Sequence, residues 1–201
     1  TINVDVSSFS DLLNGIRLTN SIGEIKNSAF SEIWDYGTNN YSSGSATDYN
    51  GKGVHAVGNG NSVTVTNSTF TGGNWGIYTK GVNCNLSNNT MPYILTGMQF
   101  DQSPGNSFDI KTNIIHAVNR GINFAWTGEV GATNINDNNQ ITLLGQNSIG
   151  IDIVETRGAQ KNIHHNNVTI GPGYKGINHE NSSLSLLYNN SILANSNTGF
   201  P

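Results

Sequence analysis

Four charged residues lie within or directly beside copies of a short repeat that begins with glycine: Lys80, Asp101, Arg120 and Asp152. A lyase acting on uronic acids needs a base for the proton beside a carboxylate and a cation that neutralises that carboxylate, and Lys80 or Arg120 could serve. A hydrolase needs two carboxylates instead. Asp101 and Asp152 lie two repeats apart, roughly 10 Å by strand stacking, near the upper limit for an inverting pair. These four residues are the candidate catalytic residues.

Aromatic residues cluster in two segments that depart from the repeat. The longer segment, residues 31–52, contains Trp34 and Tyr36 among serine, glycine and asparagine, and the shorter one contains Trp126. Long loops on a rigid scaffold often carry function. Aromatic faces bordered by polar groups suit sugar rings, so we predict that these three side chains contact carbohydrate. The alternative is that the longer loop folds on itself or covers one end of the molecule.

The histidines do not suggest a metal site. His164 and His165 are adjacent in a predicted strand, so we expect their rings to point to opposite faces and not to share an ion. The other three histidines fall on separate repeats, as exposed histidines would. Aspartate and asparagine are frequent enough for Ca²⁺, but the chain has no EF-hand-like or Gly-Asp calcium repeat. The sequence therefore predicts no metal ion and no cofactor.

The elements that must position these residues are set by an internal repeat. Glycine followed by an apolar, a polar and usually another apolar residue recurs at intervals of 21 to 29 residues, after a first interval of 38. A unit of this length is too short for a strand, a helix and their turns, and no segment has a sustained helical period. It must consist of strands joined by tight turns. The motif glycines are Gly15, Gly53, Gly76, Gly97, Gly121, Gly150, Gly176 and Gly199.

A second element, an asparagine between two apolar stretches, runs in phase with the glycine motif. Asparagine tolerates left-handed backbone angles and bonds neighbouring backbone groups, so it indicates a bend. Stacked repeats would bring these asparagines together as a ladder. The predicted ladder positions are Asn27, Asn67, Asn88, Asn113, Asn138, Asn166 and Asn189.

With these strands, bends and asparagines, the chain resembles the pectate-lyase-like superfamily of right-handed parallel β-helices. The resemblance covers nearly the whole chain and implies a secreted or surface protein with aliphatic residues stacked inside. We therefore predict an all-β, right-handed parallel β-helix of about eight coils in a single domain, 1–201. The arginine-rich signature of pectate lyases and the acidic pairs of polygalacturonases are missing.

Alternation along the glycine-motif strands predicts two rows of side chains on the outer face. The outer row is Arg17, His55, Tyr78, Gln99, Asn123, Asp152 and Asn178. The second row is Thr19, Val57, Lys80, Asp101, Ala125, Val154 and Glu180. We expect both rows to face solvent, and we predict that Tyr78, Gln99 and Asn123 bind carbohydrate. A merely solvated sheet face is the alternative.

Composition excludes several other functions. The chain has 33 asparagines and 24 glycines in 201 residues, a net charge of −4 and no basic stripe, which argues against a nucleic-acid partner. No apolar run is long enough to span a membrane.

Cys84, the only cysteine, falls in an alternating run and is predicted to be a small buried residue.

Three functions remain open. The first is an extracellular or cell-surface module that engages a polysaccharide or surface glycan along one sheet face. The second is a structural spacer or stalk segment of a surface adhesin, and the third is a polysaccharide lyase or glycoside hydrolase. Because both ends fall in mid-repeat without capping elements, we expect a fragment of a longer chain with further domains.

Overall fold

The computed structural model describes residues 1–12, 14–33, 51–101, 105–171, 175–183 and 185–194, without the side chains of 126–129. All regular structure in these residues is β-strand, and the described part contains no helix that could cross a membrane. The strands are β1 (Ile2–Asp5), β2 (Ser8–Ser10), β3 (Asn14–Thr19), β4 (Gly23–Lys26), β5 (Ala29–Ile33), β6 (Lys52–Thr66), β7 (Thr69–Gly73), β8 (Trp75–Ser87), β9 (Thr90–Asp101), β10 (Phe108–Lys111), β11 (Ile114–Val130), β12 (Thr133–Asn136), β13 (Gln140–Leu143), β14 (Ile149–Gly158), β15 (Lys161–His164), β16 (Asn167–Ile170), β17 (Lys175–Glu180), β18 (Ser185–Tyr188) and β19 (Ser191–Ala194).

The strands stack in parallel as a β-solenoid of about seven turns. Sheet A consists of β3, residues 52–57, 75–80 and 96–101, the second half of β11, β14 and β17. Sheet B consists of β1, β4, residues 61–66 and 82–87, β10, β12, β15 and β18. Sheet C consists of β2, β5, β7, the first halves of β9 and β11, β13, β16 and β19. The predicted all-β parallel solenoid is confirmed, and the last motif copy, at Gly199, lies outside the described residues.

The core is filled by residues at equivalent positions on successive turns. On sheet A, Ile77, Met98, Ile122 and Ile151 are aligned by strand pairing, and each is fully buried. On sheet C, the rings of Phe9, Phe30 and Phe70 are stacked with centroids 5.0 and 4.7 Å apart. Burial of such apolar surface is the main favourable term in folding.

The motif glycines are required by close packing between turns. A Cβ atom on Gly121 would lie 2.6 Å from the carbonyl oxygen of Gly150 and 2.6 Å from Cγ2 of Ile141. The equivalent clash recurs at Gly53 with Gly76 and Phe70. The repeated glycine therefore marks the place where sheet A begins against the side chains of sheet C.

The two successive residues at each of these bends have different roles, and this corrects several of the predicted ladder positions. The first residue of the pair adopts a left-handed φ, as Asn67 and Asn88 do at 52° and 57°, and it is exposed. The next residue forms the ladder, and it is buried at every described bend from Ser28 to Asn166 and partly buried at Asn190. The side-chain ladder therefore consists of Asn89, Asn113, Asn139, Asn166 and Asn190, preceded by Ser28 and Ser68.

Each ladder amide bonds both to the next amide and to the backbone. Asn139 Nδ2 donates to Asn166 Oδ1 at 2.9 Å and to the carbonyl of Ile110 at 3.0 Å. Its Oδ1 accepts from the backbone N and the Nδ2 of Asn113, at 3.1 and 3.0 Å. The prediction of an asparagine ladder is confirmed, with Asn113 and Asn166 at the expected positions.

The long insertion is narrower than the sequence indicates. Strand β5 continues through Ser31 to the buried Ile33, and β6 begins at the buried Lys52. Residues 34–50, which include Trp34 and Tyr36, lie outside the described residues. Cys84 is buried, as predicted.

Candidate functional site

The outer row of sheet A is largely buried. Strand pairing aligns its members on successive turns, as predicted. The expectation that they face solvent is wrong for five of them: His55, Tyr78, Gln99, Asn123 and Asp152 are 0 to 7% exposed. Arg17 is exposed and Asn178 is partly buried. The reason is mutual contact, since long side chains one strand apart lie against each other and against charged neighbours.

One hydrogen-bonded group is centred on Asp101, a partly buried member of the second row. The Tyr78 hydroxyl donates to Oδ2 of Asp101 at 3.1 Å, and Gln99 Nε2 donates to Oδ1 at 2.6 Å. Asn123 Nδ2 in turn donates to Gln99 Oε1 at 2.6 Å. Side chains from three consecutive turns therefore fix this carboxyl group.

The environment of Asp101 raises its pKa. Burial is the main cause, because it penalises the charged form. The hydrogen bonds from Gln99 and Tyr78, and the positive charges of Lys80 and Lys52, act in the opposite direction. Lys80 is partly exposed at the equivalent position on the preceding turn.

A second group is centred on Asp152, which is 2% exposed. Arg120 Nε donates to Oδ2 of Asp152 at 2.8 Å, and Asn178 Nδ2 donates to Oδ1 at 2.9 Å. Lys175 Nζ donates to Asn178 Oδ1 at 3.2 Å. Both oxygens of the Asp152 carboxylate thus have a donor, and the ion pair with Arg120 offsets its burial.

Three cations occupy the residue directly before a motif glycine: Lys52, Arg120 and Lys175. Arg120 and Lys175 bond members of the outer row, and Lys52 Nζ lies 4.9 Å from the Tyr78 ring centroid and 5.1 Å from that of Trp75. Sequence reasoning selected Arg120 and missed the two lysines. The signal that could have found them is their shared position before the glycine.

The predicted site residues therefore fall into two groups. The structure brings Tyr78, Lys80, Gln99, Asp101 and Asn123 together, and it brings Arg120 to Asp152. The two carboxylates do not form one pair: strand stacking and a two-residue offset put their Cα atoms about 12 Å apart, and each is held by its own donors. Trp126 follows Ala125 in β11, and its side chain lies outside the described residues.

The expectation that the His164 and His165 rings diverge is wrong. Strand β15 ends at His164, and His165 adopts a left-handed φ of 54°. Strict alternation of side chains applies only within a strand, so the bend turns the second ring back toward the first. The two Nδ1 atoms lie 2.8 Å apart.

These features define a parallel β-solenoid whose outer sheet face carries a fixed network of polar and charged side chains. No protein-family model, curated protein or solved structure matches this chain.

Proposed function

We propose that this chain binds an acidic polysaccharide or surface glycan along the outer face of sheet A. The observation that carries the proposal is the placement of Lys80 and Asp101 side by side on consecutive turns, partly exposed beside the buried outer row. Arg120, also partly exposed, lies on the next turn at the opposite end of its sheet A strand. Successive turns are about 4.8 Å apart, which is comparable with the length of one pyranose unit. A linear glycan running along the solenoid at this end of the strands would meet Lys80 and Asp101 on successive sugars.

The charged groups have complementary roles in this proposal. Arg120 donates from Nε to Asp152, so its two terminal nitrogens can bind a sugar carboxylate. The planar guanidinium group matches a carboxylate because it can donate two parallel hydrogen bonds. Lys80 supplies a second positive charge, and Asp101 accepts from sugar hydroxyls. Because Tyr78, Gln99 and Asn123 are buried, they position these groups and are not direct contacts.

The aromatic residues remain part of the same proposal. Trp34, Tyr36 and Trp126 would stack on sugar rings at the edge of this face. The asparagine ladder and the stacked core support membership of the pectate-lyase-like superfamily, and with it an extracellular or cell-surface location.

Two alternatives each have an observation in their favour. Burial of the outer row leaves little polar surface for a ligand, which favours a structural spacer in a surface adhesin. The raised pKa of Asp101 favours a lyase or hydrolase, because a general acid must hold its proton nearer to neutral pH. Arg120 would then neutralise the substrate carboxylate.

The test is a panel of uronate-containing and neutral polysaccharides, with retention and release of unsaturated or reducing ends measured together. We expect retention of uronate polymers that weakens with salt, since the contacts are ionic. Lys80→Ala should weaken binding about 10-fold. The matched control is Lys26→Ala, because Lys26 forms an exposed ion pair with Glu24 on sheet B.

The outcomes separate the three functions. Binding that falls in Lys80→Ala and in a Trp34→Ala, Trp126→Ala double variant, but not in Lys26→Ala, supports glycan engagement. Released ends that disappear in Asp101→Asn would establish an enzyme. No retention of any polymer would overturn the proposal and favour the spacer.

A further inference from the structure

Three side chains with metal-binding atoms converge where sheet B bends toward sheet C. They are Asp137, which follows β12, and His164 and His165, at the end of β15 on the next turn. One ligand atom from each lies within 4.8 Å of the others. The two bends are joined by a backbone hydrogen bond from Asn138 N to His165 O, 2.9 Å long.

The histidine pair has the geometry of a chelate. Two neutral imidazole nitrogens 2.8 Å apart must share one proton, with one ring donating and the other accepting. A divalent ion can replace that proton. Two nitrogens bound at about 2.05 Å are about 2.9 Å apart at a right angle and about 3.3 Å apart at a tetrahedral angle. The observed separation is close to both values, so small movements of the rings would place the two nitrogens at adjacent positions of one ion.

The neighbouring turn holds both rings in place. The Tyr188 ring stacks on His164, with centroids 4.6 Å apart and planes 16° from parallel. Asn189 Nδ2 lies 3.3 Å from His165 Nε2, and a rotated amide would accept from that nitrogen once Nδ1 binds a metal. Such outer partners orient metal-bound imidazoles.

The backbone of the pair is also fixed. The residue after His165 is Asn166, a buried member of the ladder, which donates from Nδ2 to the carbonyl of Ile135 and to Asn190 Oδ1. His164 belongs to β15 and pairs with Tyr188. Little reorganisation is therefore needed before an ion binds. Asp137 and His165 are exposed, so an ion can enter from solvent.

We propose that Asp137, His164 and His165 form a binding site for one divalent transition-metal ion of the copper, nickel and zinc class, with Cu²⁺ bound most tightly. Imidazole nitrogen suits these ions, and affinity rises to Cu²⁺ along this series. The two nitrogens occupy adjacent positions, the carboxylate supplies a third ligand, and water fills the remaining ones. The site is on a different surface from sheet A and does not depend on the proposed glycan binding.

The decisive variant is His165→Asn, because Asn27, Asn67, Asn88 and Asn189 take the same left-handed bend on other turns. The bend should persist while the chelating ring is lost. The matched control is His116→Gln, which removes a partly buried histidine from sheet C and leaves the cluster intact. Each protein is stripped with EDTA and titrated with Cu²⁺ and with Zn²⁺ by calorimetry.

We expect one Cu²⁺ per chain, an electron paramagnetic resonance spectrum with coupling to two nitrogens, and weaker binding of Zn²⁺. His165→Asn and His164→Ala should each weaken Cu²⁺ binding by at least about 10-fold, Asp137→Asn should weaken it less, and His116→Gln should match the parent. Melting of the stripped His165→Asn protein should match that of the stripped parent. Parent-like affinity in His165→Asn, or a spectrum without two nitrogens, would overturn the proposal.

Discussion

Arg120 and Asp152 form an ion pair between β11 and β14, with 2.8 Å between Nε and Oδ2, and the Asp152 side chain is 3% exposed. A buried carboxylate is tolerated here because Arg120 and Asn178 supply donors to its two oxygens. This relationship gives the first prediction.

Arg120→Ala should lower the free energy of unfolding by about 2–4 kcal/mol, because it leaves a buried carboxylate without its counter-ion. Adding Asp152→Asn should restore much of that loss, since the remaining amide carries no charge. Urea unfolding of the single and double variants at neutral pH measures both values. A double variant no more stable than Arg120→Ala would show that the charge of Asp152 is not the cause.

Asn139→Ala should cost about 2–4 kcal/mol, since it leaves the Asn113 amide and the carbonyl of Ile110 without ladder partners. Asn85→Ala is the matched control, because Asn85 is an exposed asparagine within β8. We expect it to change stability by less than about 0.5 kcal/mol. Equal losses in both variants would contradict the structural role of the ladder.

Asp101 should make stability fall as pH rises. Its folded pKa lies above the value of about 3.9 expected in the unfolded chain, so the folded state holds the proton more tightly. Its contribution is complete below the unfolded value and is lost as pH rises through the folded one. Asp101→Asn should remove this decline, as measured by urea unfolding from pH 3 to pH 7.

Tyr78→Phe provides the companion measurement for Asp101. It removes a hydrogen bond that favours the ionised carboxylate, so the pKa of Asp101 should rise further. The decline should then extend to higher pH. Identical pH profiles for the parent, Tyr78→Phe and Asp101→Asn would refute the assignment to this carboxyl group.

Cys84 should not react with thiol reagents while the chain is folded. Burial raises the pKa of its thiol to about 12, and the side chain is 5% exposed. Labelling at pH 8 should therefore require opening of the folded chain and become fast in urea. Complete labelling within seconds in native buffer would contradict this.

The repeat could be predicted from sequence because one residue type marks one structural position. At each described motif glycine a Cβ atom would clash with a sheet C side chain, and several bends carry a left-handed asparagine, so Gly121 and Asn88 are visible as a period. Which asparagine of a pair points inward was not predictable from the period, because a single left-handed residue changes the face of the next side chain. The direction of the His165 ring was not predictable for the same reason, because His165 itself is the left-handed residue of its bend.

Burial of the outer row could not be predicted from alternation. Alternation separates the two faces of a strand, but it does not show how far side chains on adjacent turns cover each other. Tyr78 is covered because Lys52 and His55 on the preceding turn and Asp101 on the following turn contact it or lie beside it. Such contacts depend on side-chain length and conformation across positions more than 20 residues apart.

The asparagine ladder gives the solenoid an electrical direction. From Asn89 to Asn190, every rung donates from Nδ2 to the Oδ1 of the following rung, so the amide dipoles point the same way and add. Aligned hydrogen bonds polarise one another in a low-dielectric interior. A substitution at Asn139 would therefore divide one long dipole into two short ones and weaken bonds on turns that it does not touch.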